Sequence, residues 1–294
     1  MPTRDLVPGV EVFMQQGNSA NPTFGPIGNT RSAPSAIILA AGKGTRMKSD
    51  LPKVVHLVGG RPMVCAVVDA CLEAGCKRIV TIVGYKQEDV RSALASYPQV
   101  EYAVQEEQLG TGHAVACARA AFTSEIAQAG NDAFILCGDG PLIRAETLKQ
   151  LLAAHRGELN GQAASGQVAV ASLATAELAD PNGYGRIVRD ANDRFLAIVE
   201  QKNATPEQRA IREVNPSYYC IDVASLFGAL ERVERNALTG EYYLTDVPGL
   251  LLGMGKKVEV LRGVPAEDVL SINTPEDLAH VDEIYRRRRS GKHS

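Results

Sequence analysis

The 294-residue sequence has no apolar run approaching the roughly 20 residues that a bilayer span requires. Its first residues also lack the basic-then-apolar layout of a secretory leader. Both absences lead to the expectation of a cytoplasmic protein with no membrane partner. The six cysteines (Cys65, Cys71, Cys76, Cys117, Cys137 and Cys220) include no C-x-x-C pair and lie near no histidine cluster, so neither a zinc site nor a redox pair is indicated. They read as reduced, small core residues. The formal net charge is only -3, with a pI near 6.0, which gives no global attraction to nucleic acid. Any anionic substrate must then be held by a local basic site. No repeat of 20 to 50 residues and no hexapeptide pattern occurs, which excludes a solenoid.

What remains is an ordinary globular composition, 45% hydrophobic and 22% charged, sufficient for one large domain or two small ones. Residues 1–34 mix Gly, Asn, Pro, Ser and Thr without a sustained period, and read as a mobile tail. The folded unit is expected over residues 35–289, with a short tail at 290–294. Residues 36–40, 78–83, 100–104 and 133–136 are short β-branched runs that predict strands, and helical patterns lie between them. Val64, Val67, Val68, Cys71 and Leu72 share one helical face, with Gly75 as its stop.

This alternation predicts an α/β fold, a Rossmann-like doubly wound, mostly parallel sheet with helices on both sides. After a helix at about 144–155, strand-like pieces at 168–173, 186–189, 195–200 and 218–221 predict a small β-rich lobe. A helix at 223–233, a strand at 258–261 and a last helix follow. Thr274, Pro275 and Asp277 supply that helix's N-cap, first position and capping carboxylate. Arg286, Arg287, Arg288 and Arg289 close it, where cations favour the dipole, and read as a solvated helix end.

The strongest chemical signal is Leu39-Ala40-Ala41-Gly42-Lys43-Gly44-Thr45-Arg46-Met47, directly after the first strand, followed by Leu51-Pro52-Lys53. Glycines 42 and 44 let successive backbone N–H groups turn inward and form an anion-binding concavity. Arg46 and Lys53 supply cations for a polyphosphate. The string is not a Walker A loop, since no Gly-Lys-Ser/Thr closes it, nor the dinucleotide fingerprint, since the third glycine is missing.

A second element runs from Gln105 to His113 with Gly110, Thr111 and Gly112, ahead of an alanine-rich helix at 114–121. Its glycines suit close approach to a flat base, and Gln105 and Gln108 carry the paired donors and acceptors that a uracil edge requires. His113 reads as a helix-start residue. The third element, Phe134 to Asp139, is an apolar strand ending in a carboxylate that emerges at the same sheet edge and can hold Mg²⁺. Asn273 is either a neutral oxygen ligand or part of the last helix's cap.

These strings resemble the sugar-nucleotide pyrophosphorylases, and among them the uridylyltransferase half of the bifunctional GlmU enzymes, from about Ala36 to Arg289. Supporting motifs are Gly183-Tyr184-Gly185-Arg186-Ile187, Ile198-Val199-Glu200-Gln201-Lys202, Glu213-Val214-Asn215 and Gly240-Glu241-Tyr242-Tyr243-Leu244-Thr245-Asp246. The resemblance implies a nucleotide-diphospho-sugar transferase fold of the GT-A-like type. It further implies that Leu39, Ala40, Ala41, Gly42, Lys53, Gln105, Gly110 and Thr111 hold the nucleotide, while Arg46 and Lys53 act on its phosphates as the catalytic cations. Asp139 and Asn273 would bind Mg²⁺, and Gly185, Glu200 and Asn215 the sugar. The implied substrates are UTP and N-acetylglucosamine 1-phosphate, giving pyrophosphate and UDP-N-acetylglucosamine, a cell-envelope precursor.

Two departures lie near the implied sugar pocket: Cys137 where the family usually has tyrosine, and Asn215-Pro216-Ser217 where it usually has Asn-Thr-Gly or Asn-Ser-Gly. Another sugar 1-phosphate, another pyrimidine triphosphate, or a nucleotide-sugar sensor without turnover therefore stand as alternatives. No acetyltransferase activity is expected, because no left-handed β-helix pattern follows. A monomer or weak homo-oligomer is expected for the same reason.

Overall fold

Apolar, β-branched runs set the frame. The computed structural model describes residues 31–128, 130–158 and 168–291. The expected N-terminal tail lies outside the described residues except for 31–34, as does most of the expected C-terminal tail. The first run is β1 (Ser35–Leu39), in which Ala36, Ile37 and Ile38 are wholly buried. A strand that is apolar on both faces belongs in the middle of a parallel sheet covered on both sides.

A hairpin of β2 (Leu57–Val58) and β3 (Arg61–Pro62) follows, then α1 (Met63–Glu73), β4 (Arg78–Val83), α2 (Gln87–Ala93), β5 (Val100–Val104), α3 (Thr111–Cys117), α4 (Thr123–Ile126), β6 (Asp132–Cys137) and α5 (Ala145–Arg156). The smaller lobe contributes β7 (Ala171–Ala174), β8 (Ala176–Glu177), β9 (Gly185–Arg189), β10 (Phe195–Val199), α6 (Pro206–Arg209) and β11 (Glu213–Asn215). The chain closes with β12 (Tyr219–Asp222), α7 (Val223–Leu230), α8 (Asp246–Gly253), β13 (Val258–Leu261) and α9 (Pro275–Arg289).

Seven strands form one mixed sheet in the order β13-β7-β12-β6-β1-β4-β5, in which only β12 runs antiparallel to its neighbours. Ala36 and Ile38 point to a face covered by α1, α2, α5 and α9, through Val64, Val68, Val90, Leu148, Leu151 and Val281. Ile37 points to the opposite face, covered by α3, α7 and α8 through Val115, Leu226, Phe227 and Leu251. The sheet is thus doubly wound, as the alternation of strand and helix patterns predicts. A separate antiparallel sheet, β10-β9-β11-β8, makes the small lobe. The strand expected at 168–173 begins later, at Ala171, and β8 and β11 were not anticipated as strands. Their two and three residues are too short for a periodic signal. No helix among the described residues is long and apolar enough to cross a membrane.

Two further expectations change. Cys117 and Cys137 are only half-buried, while the other four cysteines are core residues. The terminal arginine run is not simply solvated: Arg287 pairs with Glu267, while Arg288 reaches Asp268 at 2.6 Å and the Leu142 carbonyl at 3.0 Å. The helix end is thereby clamped to the loop that follows Asp139.

The amino end of β6 carries a buried charge cluster. The Asp132 carboxylate, fully shielded from solvent, accepts from Arg31 at 2.7 Å, Arg156 at 2.8 Å and His155 Nε2 at 3.2 Å. Burial alone would raise its pKa, but His155, Arg156 and Arg31 together outweigh that and lower it from 3.8 to about 2. The folded-state value lies below the unfolded one, so this stabilisation is complete above about pH 3.8 and is lost as pH falls towards about 2. It is worth about 2 kcal/mol. Asp132→Asn should lower stability by about 2–4 kcal/mol at neutral pH, because it removes the anion that two partly buried guanidinium groups and the buried His155 share. The difference from the parent protein should shrink in acid, as read from urea unfolding between pH 2 and pH 7.

Candidate active site

Strands β1 and β6 pair in parallel with Leu39 opposite Cys137, so the segments that follow them leave the sheet side by side. Strand order also reverses here, since β4 and β5 lie on one side of β1 and β6 on the other. Open α/β sheets bind ligands in the crevice at such a point.

After β1 the chain turns at Gly44, at φ 69°, into a 3-10 turn over Thr45–Met47. A Cβ at Gly44 would come within 2.6 Å of the Lys53 Cβ, so glycine serves both the turn and the seating of Lys53. Gly42 borders open space instead. The two glycines thus differ, since Gly44 has a positive φ and Gly42 does not, whereas the sequence leads one to expect a single anion-binding concavity formed by both. Lys53 starts a second 3-10 turn, Lys53–Val55, anchored by buried Val54 and Val55.

The Lys53 ammonium forms an ion pair with the Asp139 carboxylate and also donates to Asn273 Oδ1 at 2.6 Å. Arg46 Nη2 donates to the same Asn273 oxygen at 2.9 Å. Lys53 and Asp139 side chains are only 15% and 19% exposed, which strengthens their attraction relative to a surface pair. Asn273 owes its position to neighbours on both sides. Ile272 N donates to the Asp139 carbonyl at 3.0 Å, and Asn273 N donates to Asp277 Oδ2 at 2.9 Å within the α9 capping box. The main chain of Asn273 thus joins the helix cap, while its side-chain oxygen accepts from Lys53 and Arg46.

A cleft of about 310 Å³ is lined by Leu39, Ala40, Ala41 and Gly42, together with Lys53 and Asp139. Gln105, Gly110 and Thr111, from the loop after β5, form its other wall. Gln105 is 4% exposed and spends its amide N–H groups inward, on the Gly110 carbonyl at 3.2 Å and His113 Nδ1 at 3.1 Å. His113 sits within the first turn of α3, as a helix-start residue should.

Asp139 Oδ2 and Asn273 Oδ1 are hard oxygen donors bonded by one and the same ammonium, so they converge on a point where a cation is accommodated. No group of three or more His, Cys, Asp or Glu side chains suited to a metal occurs among the described residues. A metal ion bound here would take most of its ligands from water and substrate oxygens, which is the habit of Mg²⁺.

A family model described as the MobA-like NTP transferase domain matches residues 36–237. The chain belongs to this family. Its relatives include the bifunctional protein GlmU of Geobacter metallireducens, 44% identical over 257 residues, which cover 86% of this chain and 51% of the relative. GlmU of Halalkalibacterium halodurans is 45% identical over 253 residues, covering 86% and 52% respectively. GlmU of Geobacter sulfurreducens is 42% identical over 259 residues, covering 88% and 52%. The chain spans about half the length of the curated relatives it matches. The matched residues 36–237 include Asp139 and all the nucleotide, phosphate and sugar candidates, whereas Asn273 lies beyond them.

The remaining candidates fall elsewhere. A second cavity of about 470 Å³ is lined by Arg46, Glu200 and Lys202. Burial raises the Glu200 pKa even though the Thr245 hydroxyl donates to its carboxylate at 3.0 Å. Gly185 and Asn215 are register partners on β9 and β11, and neither lines the two cavities. Asn215 is 4% exposed; it donates to the Tyr219 hydroxyl at 2.7 Å and accepts from Ser217 N at 3.1 Å. Ser217 adopts φ 63° at the position where the resemblance leads one to expect glycine.

Glu241, Tyr243 and Thr245 carry no chemical signal in the sequence beyond the motif they belong to, yet Glu241 borders both cavities and Thr245 holds Glu200. Their segment is sewn to the loop at 109–112: Tyr242 N donates to Leu109 O at 2.7 Å, Gly112 N to Tyr242 O at 2.8 Å and Leu244 N to Thr111 Oγ1 at 3.0 Å. Gly110, at φ 105°, leaves no space for a side chain, since a Cβ would meet Tyr242 O at 2.5 Å. Gly110→Ala should cost about 1–3 kcal/mol of stability. It should also weaken nucleotide binding by displacing the 240–244 segment, as checked by thermal unfolding and calorimetric titration with UTP.

Proposed function

We propose that this protein is a Mg²⁺-dependent nucleotidyltransferase that forms UDP-N-acetylglucosamine and pyrophosphate from UTP and N-acetylglucosamine 1-phosphate. The observation that carries this reading is the meeting of Lys53, Arg46, Asp139 and Asn273 at the mouth of the cleft that Leu39 to Gly42 line. A phosphate oxygen of the sugar phosphate attacks the α-phosphorus of UTP in line, one P–O bond forms, and the bond to the departing pyrophosphate breaks. Lys53 and Arg46 bind and orient the phosphates and offset the negative charge that spreads over them. No side chain need remove a proton, because the attacking phosphate is already ionised. Magnesium held by Asp139 and Asn273 would supply further charge neutralisation at the phosphates.

In this reading the backbone around Gly42 receives the triphosphate, while Gln105, Gly110 and Thr111 receive the base. Glu200 accepts hydrogen bonds from sugar hydroxyls, with Gly185 and Asn215 supporting the sugar side from β9 and β11. The relatives' printed name, GlmU, and the intact set of cations and oxygen donors support this assignment. A second reading keeps the chemistry but changes the sugar 1-phosphate. It is favoured by Cys137, which lines the cleft where the resemblance suggests tyrosine, and by Ser217 beside Asn215.

Pyrophosphate release from UTP, measured with N-acetylglucosamine 1-phosphate and with a panel of other sugar 1-phosphates, separates these readings. Turnover with the first substrate should exceed the rest, and no release with any sugar phosphate would leave a sensor rather than an enzyme. Lys53→Ala should lower kcat/KM by about 10²–10³. Excess chelator should abolish turnover, and added magnesium should restore it.

A further inference from the structure

Glu241 stands on the partition between the two cavities and borders both. Its Cβ would lie 2.9 Å from a side chain added at Gly110, so the residue is pressed directly against the loop assigned to the base. The three bonds that sew residues 242–244 to residues 109–112 hold it there in constant register. Its charged partner among the described residues is Lys202, at 3.7 Å, beyond hydrogen-bonding distance and on a side chain that is 67% exposed. The Glu241 carboxylate, itself 38% exposed, therefore keeps its acceptor capacity for something that enters the cleft.

That something is not a phosphate. A carboxylate between two polyanionic substrates repels their phosphates. An ionised carboxylate is an acceptor only, so it recognises hydroxyl or N–H donors. Within the nucleotide, between a base lying against Gly110 and phosphates lying against Arg46 and Lys53, the part that carries hydroxyl donors is the ribose. An acidic side chain accepting from a ribose hydroxyl is a recurrent solution in nucleotide sites. Resting on the nucleotide reading given above, we infer that Glu241 accepts a hydrogen bond from the ribose 2′-hydroxyl. It thereby selects ribonucleoside over deoxyribonucleoside triphosphates.

Calorimetric titration of the full chain with UTP and with dUTP tests this directly, without requiring turnover. The parent protein should bind UTP about tenfold more tightly or better, the range of one hydrogen bond to a charged group. In Glu241→Ala the ratio should fall towards one, because UTP binding weakens while dUTP binding changes by less than about twofold. Glu241→Gln, which keeps the shape and one acceptor, should lie between the two and guards against a folding defect in the alanine variant. Equal weakening for both nucleotides, an unchanged ratio in both variants, or no preference in the parent protein would overturn the inference. UTP binding with the expected ratio but no pyrophosphate release would instead remove the transferase reading and leave Glu241's role standing.

Discussion

The site depends on one ammonium group. Lys53 Nζ joins Asp139, 86 residues along the chain, to Asn273, 220 residues along, and Arg46 reaches the same asparagine oxygen. Two segments that leave the sheet after different strands, and a third that enters the last helix, are tied together by these bonds. Each partner is also pinned from behind: Lys53 by buried Val54 and Val55, Asp139 by the end of β6, and Asn273 by the capping box of α9. Such reinforcement matters because phosphoryl transfer relies on positioned charge, and charge positioned in advance has no reorganisation to undergo when the reacting groups arrive.

A second constraint joins the loop at 109–112 to Glu200. The segment from Tyr242 to Leu244 packs on the loop at 109–112 so closely that Gly110 and Gly112 admit no side chain there without displacement. One residue later, Thr245 holds the carboxylate of Glu200. The walls of the two cavities thus share a single covalent strip, from Glu241 to Thr245. Glu200 carries an electrostatic cost in this position, since burial disfavours its ionised form and Thr245 only partly compensates. A hydroxyl-rich ligand would add the hydrogen bonds that the carboxylate lacks.

Charge is handled differently away from the cleft. Asp132 is buried with more than enough cations around it, and Asp268, 1% exposed, faces both Arg144 and Arg288. These clusters fasten the start of β6 and the end of α9, the two elements that frame Asp139 and Asn273. At the cleft, by contrast, the cations Arg46 and Lys53 stand among the carboxylates Asp139, Glu200 and Glu241, so charges of both signs line the cavity walls.

The sequence by itself determined the strands β1, β4, β5 and β6, the doubly wound arrangement, and the local devices around Gly42 and Gly44, Asp139 and Thr274. These follow from neighbours along the chain: apolar runs form strands, glycines permit turns, and a Thr-Pro-x-Asp string starts a helix. Tertiary structure alone decided that Gly44 makes room for Lys53, that Asn273 meets Lys53 and Arg46, and that Glu241 divides the cavities. It also placed Gly185 and Asn215 within a sheet and off the cavity walls. Those facts depend on which distant segments pack together, and packing is set by the pairing of β1 with β6 and of residues 242–244 with 109–112. No periodicity or motif within either partner contains that pairing, because it is an energy shared between them.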